Sequence, residues 1–202
     1  MLKIKNILFL FASILSTLII TGCYTPLNVA EALQQKQNAK IYTAYNLFYT
    51  DMQNIDAENI IKGHFISYGT PLQVVESETS SYFNDSVITF KNLENDELIT
   101  VKIKHAKMMM TANEVLRHLL TTKNKAEIDK GLTKKFIPMI AEGKIKKGMT
   151  KKDVLVAYGY PPRNRTSDIS DDTWIYWNDK NNSVRIVFRN GKVAEVIDLR
   201  NY

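Results

Sequence analysis

Between Gly143 and Asp198 the chain carries its own punctuation, and that punctuation leaves few folds open. Thr150 can cap a helix whose third residue, Asp153, reaches back to the cap, while Met149 before the cap packs on Val154 after it. Gly159 can take the left-handed conformation that ends this helix, and Pro161 and Pro162 bar its continuation, which predicts a short helix over roughly residues 150 to 158. After a polar loop, Thr173 to Trp177 and Val184 to Arg189 read as strands, and Asn190-Gly191 is a two-residue hairpin signal leading into a third strand, Lys192 to Asp198.

The residues Ile145, Gly148-Met149-Thr150, Val154, Gly159, Pro161, Trp174, Tyr176, Val187-Phe188 and Gly191-Lys192-Val193 carry a resemblance. In type and spacing they look like the BamE (SmpA/OmlA) family of small outer-membrane lipoproteins, over roughly the last sixty to seventy residues. The resemblance implies a domain of two helices and a three-stranded antiparallel sheet. It also implies a role in supporting the outer-membrane β-barrel assembly machine, with contacts to the barrel-inserting subunit and to phosphatidylglycerol, and it carries over the Gly148-Met149-Thr150 turn. The chain departs from the family in having about 100 further residues before the matching part. Shared fold does not by itself make it the same subunit.

The first 22 residues read as an address. Lys3 and Lys5 precede an apolar run from Ile7 to Ile20, followed by Thr21-Gly22-Cys23, the layout of a secretory signal. The cysteine directly after Thr21-Gly22 resembles the lipobox of bacterial lipoproteins, so Cys23 is expected to be the first mature residue, acylated on its sulfur and its amino group. The competing reading is a single membrane-spanning helix, but the apolar run falls short of the roughly 20 residues a span needs. Tyr24 stands where an aspartate, by resemblance to known sorting rules, would retain a lipoprotein in the inner membrane. The expected location is therefore the periplasmic side of the outer membrane.

Cys23 is the only cysteine, so no intramolecular disulfide can help the fold, and burial has to supply its stability. Cleavage after residue 22 leaves 180 residues, which suits two small domains. It also removes Lys3 and Lys5 and lowers the formal charge from +6 to +4. Beside a bilayer each Lys or Arg near anionic headgroups adds about 1 kcal/mol of attraction. No basic-aromatic stripe of the kind nucleic-acid binding needs is present.

Residues 23 to 40, polar and Gln/Asn-rich, read as a flexible tether with at most a short helix around Val29 to Gln35. From residue 41 the pattern changes to period two. Ile41 to Tyr49, Ile60 to Ile66, Leu72 to Glu76, Val87 to Lys91 and Leu98 to Lys104 predict five short strands and a small barrel. Ile66 to Val74 resembles a turn of SH3-like bacterial barrels, a class that binds peptides or cell-wall fragments. Thr111 to Glu114 is a second capping box for a helix reaching about Thr122, which closes a first domain over 41 to 122. In the second, 123 to 202, Ile128, Leu132 and Phe136 at four-residue spacing predict a helix interrupted near Pro138 and ending by Gly143. The expected fold class is thus α+β, an SH3-like barrel followed by a BamE-like domain.

Catalytic chemistry finds little footing. His64, His105 and His118 stand in unrelated local patterns, and no cysteine is left to join them in a metal site. No serine sits in a nucleophile elbow, and no glycine-rich loop precedes a helix in the phosphate-binding arrangement. Asp168, Asp171 and Asp172 cluster in a loop, where turn-forming and solvated carboxylates outnumber acid-base pairs. A non-enzymatic protein without cofactor or metal is expected.

Surfaces remain. Alternation along Trp174-Ile175-Tyr176-Trp177 puts bulky apolar groups on both faces of one strand. Met108-Met109-Met110 is either core filler or a soft contact surface. Lys144, Lys146, Lys147, Lys151, Lys152, Arg163 and Arg165 flank one short helix and could converge at one end of the domain. The candidate contacts for a protein partner or an anionic lipid are Lys146, Lys147, Met149, Lys151, Arg163, Arg165 and Trp177, with Cys23 as the lipidation site. Two functions stay open. One is a scaffold in the envelope, foremost in outer-membrane β-barrel assembly. The other is a periplasm-facing module that holds peptidoglycan or a peptide in its small barrel.

Overall fold

The computed structural model describes residues 24–80, 85–179 and 181–199, in which two apolar clusters organise a mixed α+β chain. The signal segment and Cys23 lie outside the described residues.

The first cluster is built on a curled sheet. Its elements are β1 (Tyr24–Thr25), α1 (Val29–Ala32), β2 (Ile41–Thr43), β3 (Leu47–Tyr49), β4 (Ile55–Asp56), β5 (His64–Ile66), β6 (Pro71–Ser80), β7 (Ser86–Asn92) and β8 (Leu98–Ile103). Then come α2 (His105–Met108), α3 (Ala112–Leu119) and β9 (Leu120–Thr121). The strand order is β4-β8-β7-β6-β2-β9, with β1 added to the far end of β6. Strict alternation along β7 and β8 drives the burial: Ile88 faces Val101 and Phe90 faces Ile99, all inaccessible or nearly so. Each such side chain contributes about 1.5–3 kcal/mol of apolar transfer energy.

Three expectations for this half change. The segment read as a tether is packed: Asn28 caps α1, and Val29 and Ala32, three residues apart, enter the first core. The predicted strand Ile41 to Tyr49 is two strands, because the chain leaves the main sheet after Thr43 and β3 pairs with β5 instead. The predicted strand Ile60 to Ile66 shrinks to β5, while β4, unforeseen, runs parallel to β8. The set is therefore larger than five strands. α3 keeps its predicted capping box on Thr111 and Glu114 but stops at Leu119, where β9 begins and pairs with β2.

The second cluster joins helices to a separate sheet. Here α4 (Lys125–Asp129), a 3-10 turn (Lys134–Phe136), α5 (Ile137–Ala141) and α6 (Lys151–Tyr158) precede β10 (Thr173–Trp177), β11 (Ser183–Arg189) and β12 (Lys192–Asp198). The strands form an antiparallel β10-β11-β12 sheet. Trp174, Tyr176, Ile186, Phe188 and Val193 are buried in the cluster, packed with residues of α6 and of the helical segment before it. Asn190 and Gly191 both take positive φ, 53° and 70°, as a tight hairpin between right-twisted strands requires. Thr150 and Asp153 form the expected capping box, and α6 ends at Gly159. The helix expected from Ile128 to Gly143, with an interruption near Pro138, is three pieces, and its first break comes earlier, after Asp129. The Thr133 N–H is taken by the Asp153 carboxylate, and Pro138 lies in the first turn of α5, where a missing N–H costs nothing.

The two clusters interlock. Tyr68, from the first half of the chain, is buried in the second cluster, and Tyr160, from the second half, packs against the first. Asn46 is the peg between them, fully buried. Its amide donates to the carbonyls of Ile140 (2.6 Å) and Ala157 (3.2 Å), in the last turns of α5 and α6, and its oxygen accepts from the Tyr68 N–H (3.1 Å). Helix ends leave carbonyls without intrahelical donors, and one side chain here serves two of them.

Candidate functional site

The basic residues do not gather into one patch. Lys146 and Lys147 stand exposed side by side in the turn before α6, and neither forms an ion pair among the described residues. Lys144 pairs with Glu142 (2.8 Å), and Lys152 lies against Gly131. Arg163 reaches the other half of the molecule, donating to the Met109 carbonyl (3.1 Å) and lying 3.9 Å from Glu114. Arg165 lays its guanidinium over the Trp177 ring at 4.0 Å.

Lys151 is committed to structure. Its ammonium donates to the carbonyls of Ser170 (2.5 Å), Asp171 (2.8 Å) and Ile169 (3.3 Å), with the Asp172 carboxylate at 3.7 Å. The loop carrying Asp168, Asp171 and Asp172 thus wraps one cation, and Asp168 bonds the Ser170 N–H, which holds its carboxyl below the usual range. These carboxylates form a turn and not an acid-base pair. Met149 is corrected as a contact residue: it is 0% exposed, because it is the staple under α6 and fills the second core.

The aromatic strand divides as alternation requires. Trp174 and Tyr176 face the core, and the Tyr176 hydroxyl donates to the Gly159 carbonyl (2.8 Å). Trp177 is half-buried under Arg165, and its carbonyl accepts the Ile61 N–H (2.8 Å), so the edge of β10 is met by the first half of the chain. Met108 and Met110 are core filler, while Met109 is exposed.

The histidines are apart, and among the described residues no group of three or more His, Cys, Asp or Glu side chains is placed to hold a metal ion. His118 stacks on Tyr160 with ring centroids 3.7 Å apart. Burial, with Arg163 nearby, pushes its pKa down to about 4. Asp153 would be raised by burial, but the N–H groups of Thr133 and Thr150 that it accepts outweigh this and hold it below the usual range.

One concave feature was not foreseen. A cleft of about 420 Å³ opens between the segment Phe48 to Lys62 and the β10–β11 turn, lined by Phe48, Tyr49, Asn54, Ile55, Asp56, Ile60, Lys62, Asp179, Asn181 and Asn182. Phe48 is held by Phe65 (centroids 5.2 Å apart) and by Tyr158 edge-on (5.9 Å). The only sequence signal for it is an Asn/Asp-rich hairpin turn, Asn178 to Asn182, that is longer than its strands need. No family model, no curated protein and no solved structure matches this chain, so its function is read from these residues alone.

Proposed function

We propose that this protein is a non-enzymatic lipoprotein of the outer membrane, anchored through Cys23, that works as a scaffold in the cell envelope, foremost in β-barrel protein assembly. One observation carries the reading. Three buried polar side chains are committed to the backbone: Asn46 to Ile140, Ala157 and Tyr68, Asp153 to Thr133 and Thr150, and the Tyr176 hydroxyl to Gly159. Groups held this way rigidify a surface and leave contact to what lies outside, Lys146 and Lys147 and the Arg165–Trp177 pair. The finer fold assignment belongs to the same proposal. Residues 123 to 202 take the BamE-like plan, supported by the order of α5, α6 and three antiparallel strands, and residues 41 to 122 take an SH3-like plan with added strands.

A photo-crosslinker placed at Lys147 or Arg165 in living cells is expected to trap a membrane-embedded β-barrel protein, and depletion is expected to lower outer-membrane protein levels. Normal levels together with no such partner would defeat the proposal.

The cleft favours a second reading, an envelope-binding module. Sedimentation of the protein with purified sacculi is expected under this reading and is not required by the first.

A further inference from the structure

We infer that β6, between its partners β2 and β1, takes up an extended segment of another polypeptide as an added strand. The segment it fits carries apolar side chains on one face and basic ones on the other. This rests on the scaffold reading and adds to it a place and a class of partner.

The sheet has a gap on one side of β6. β7 pairs along nearly all of the other side, but here β2 meets only Pro71 and Leu72, and β1 only Thr79 and Ser80. Between them, Gln73 to Glu78 make no backbone hydrogen bond beyond the β6–β7 ladder among the described residues. That is roughly 15–20 Å of open edge at about 3.3 Å per residue. The cause is local. Pro26 has no N–H with which to prolong β1, and the Leu27 N–H donates to the Ser77 hydroxyl (3.0 Å), which donates back to the Leu27 carbonyl (3.3 Å). At the other end a turn from Lys36 to Ala39 precedes the entry of Ile41 into β2. Residues 26 to 40 thus leave the edge, and a groove of about 660 Å³ lies between that segment and Leu72, Gln73 and Val74.

An open edge holds a strand by its backbone and selects it by alternate side chains. Towards the core, Leu27, Leu33 and Val74 are only partly buried against the first cluster, and the bulge at Val75 leaves that side chain 55% exposed. On the opposite face of the sheet, Glu76 and Glu78 stand across from Thr89 and Val87, exposed and without an ion pair among the described residues. Lys36 and Lys40 line the groove at its β2 end, so basic side chains are accepted at the β1 end, beside the two glutamates. β1 and β2 both run antiparallel to β6, and an antiparallel strand between them would carry its basic residues in its N-terminal half. An acidic strand would set like charges directly opposite one another, and a second copy of β6 would bring the same two glutamates against themselves.

The test is calorimetric titration of the full chain, purified in detergent, with the end-blocked hexapeptide Lys-Val-Lys-Val-Thr-Val. Its controls are Glu-Val-Glu-Val-Thr-Val and the first peptide methylated on every backbone nitrogen. Saturable binding of the first peptide alone is expected, weakened about tenfold when Glu76→Lys and Glu78→Lys are combined, exposed residues whose change removes no internal contact. No saturable binding, equal binding of the acidic or the methylated peptide, or unchanged affinity in the double variant each overturns the inference. So does a dimer in sedimentation that the double variant alters, since a second copy would then hold the edge. Crosslinking separates the two levels: protein that traps a β-barrel protein through Lys147 or Arg165 but ignores the peptides keeps the scaffold reading and loses this one.

Discussion

Asn46 shows how much one buried side chain can decide. It has no exposure, and its three hydrogen bonds reach Tyr68, Ile140 and Ala157. Asn46→Ala leaves the Tyr68 N–H and the Ala157 carbonyl buried without partners, while the Ile140 carbonyl keeps the Gly143 N–H (3.0 Å), and is expected to cost about 2 kcal/mol, read as a lower denaturant midpoint at unchanged slope. Asn46→Asp is expected to be no better, because a carboxylate would face two carbonyl oxygens. His118 makes a pH prediction at the same scale. Its ring lies on Tyr160, with Arg163, Arg117 and Glu114 around it, and its folded pKa of about 4 lies below the 6.5 of the unfolded chain. Between those values the unfolded chain binds the proton and the folded one refuses it, so stability falls as pH drops from about 6.5 to 4. Allowing for the ring's partial exposure, the loss is on the order of 2 kcal/mol. His118→Phe keeps the stack and is expected to flatten that part of the stability profile.

Among the elements, α6 is the best test of what local sequence controls. Thr150, Asp153, Val154 and Gly159 announce its start, staple and end, and all four act as announced except that Gly159 takes positive φ outside the left-handed helical well. Gly159 has a further duty that no local pattern shows: a Cβ there would strike Asn59 and the Tyr45 ring. Gly159→Ala is therefore expected to cost at least about 3 kcal/mol, more than the backbone term alone, seen as a lower melting temperature. Asp153 likewise does more than cap. One oxygen accepts the Thr150 N–H and the other the Thr133 N–H, each at 2.9 Å. Asp153→Asn can satisfy only one and turns an NH2 on the other, with an expected loss of about 2 kcal/mol. The wild-type carboxylate, with its lowered pKa, adds stability above the normal carboxylate range that is lost as pH falls through the folded value. The variant lacks that acid limb. Caps and hairpins were legible because their partners lie within four residues. The helix over 128 to 143 was misread for the opposite reason: Ile128, Leu132 and Phe136 do share the core, but the donor that breaks the helix at Thr133 answers to an acceptor 20 residues away. The tether was misread because a polar composition concealed two small apolar residues, Val29 and Ala32, with a core to enter. The cleft brings together residues about 120 positions apart, and no spacing rule reaches that far.

At the scale of the molecule, the question is whether the halves behave as separate bodies. Asn46 ends two helices of the second half; Tyr68 enters its core and bonds Asp129 (2.7 Å), beneath the Lys125 ammonium; Ile61 bonds the edge of β10. In return, Tyr160 and Arg163 of the second half bear on α2 and α3, and Asn59 donates to the Tyr158 carbonyl. Neither half keeps its helix ends or its core closed without the other. Unfolding is therefore expected as one cooperative transition. Both tryptophans, Trp174 and Trp177, lie in the second half, while most strands lie in the first, so tryptophan fluorescence and far-ultraviolet circular dichroism report on different halves. Their denaturant curves are expected to coincide, and a chain cut to residues 123–202 is expected to lack a cooperative transition. Two separated transitions, or a stable isolated second half, would show that the contacts at Asn46 and Tyr68 join the halves without coupling their stability.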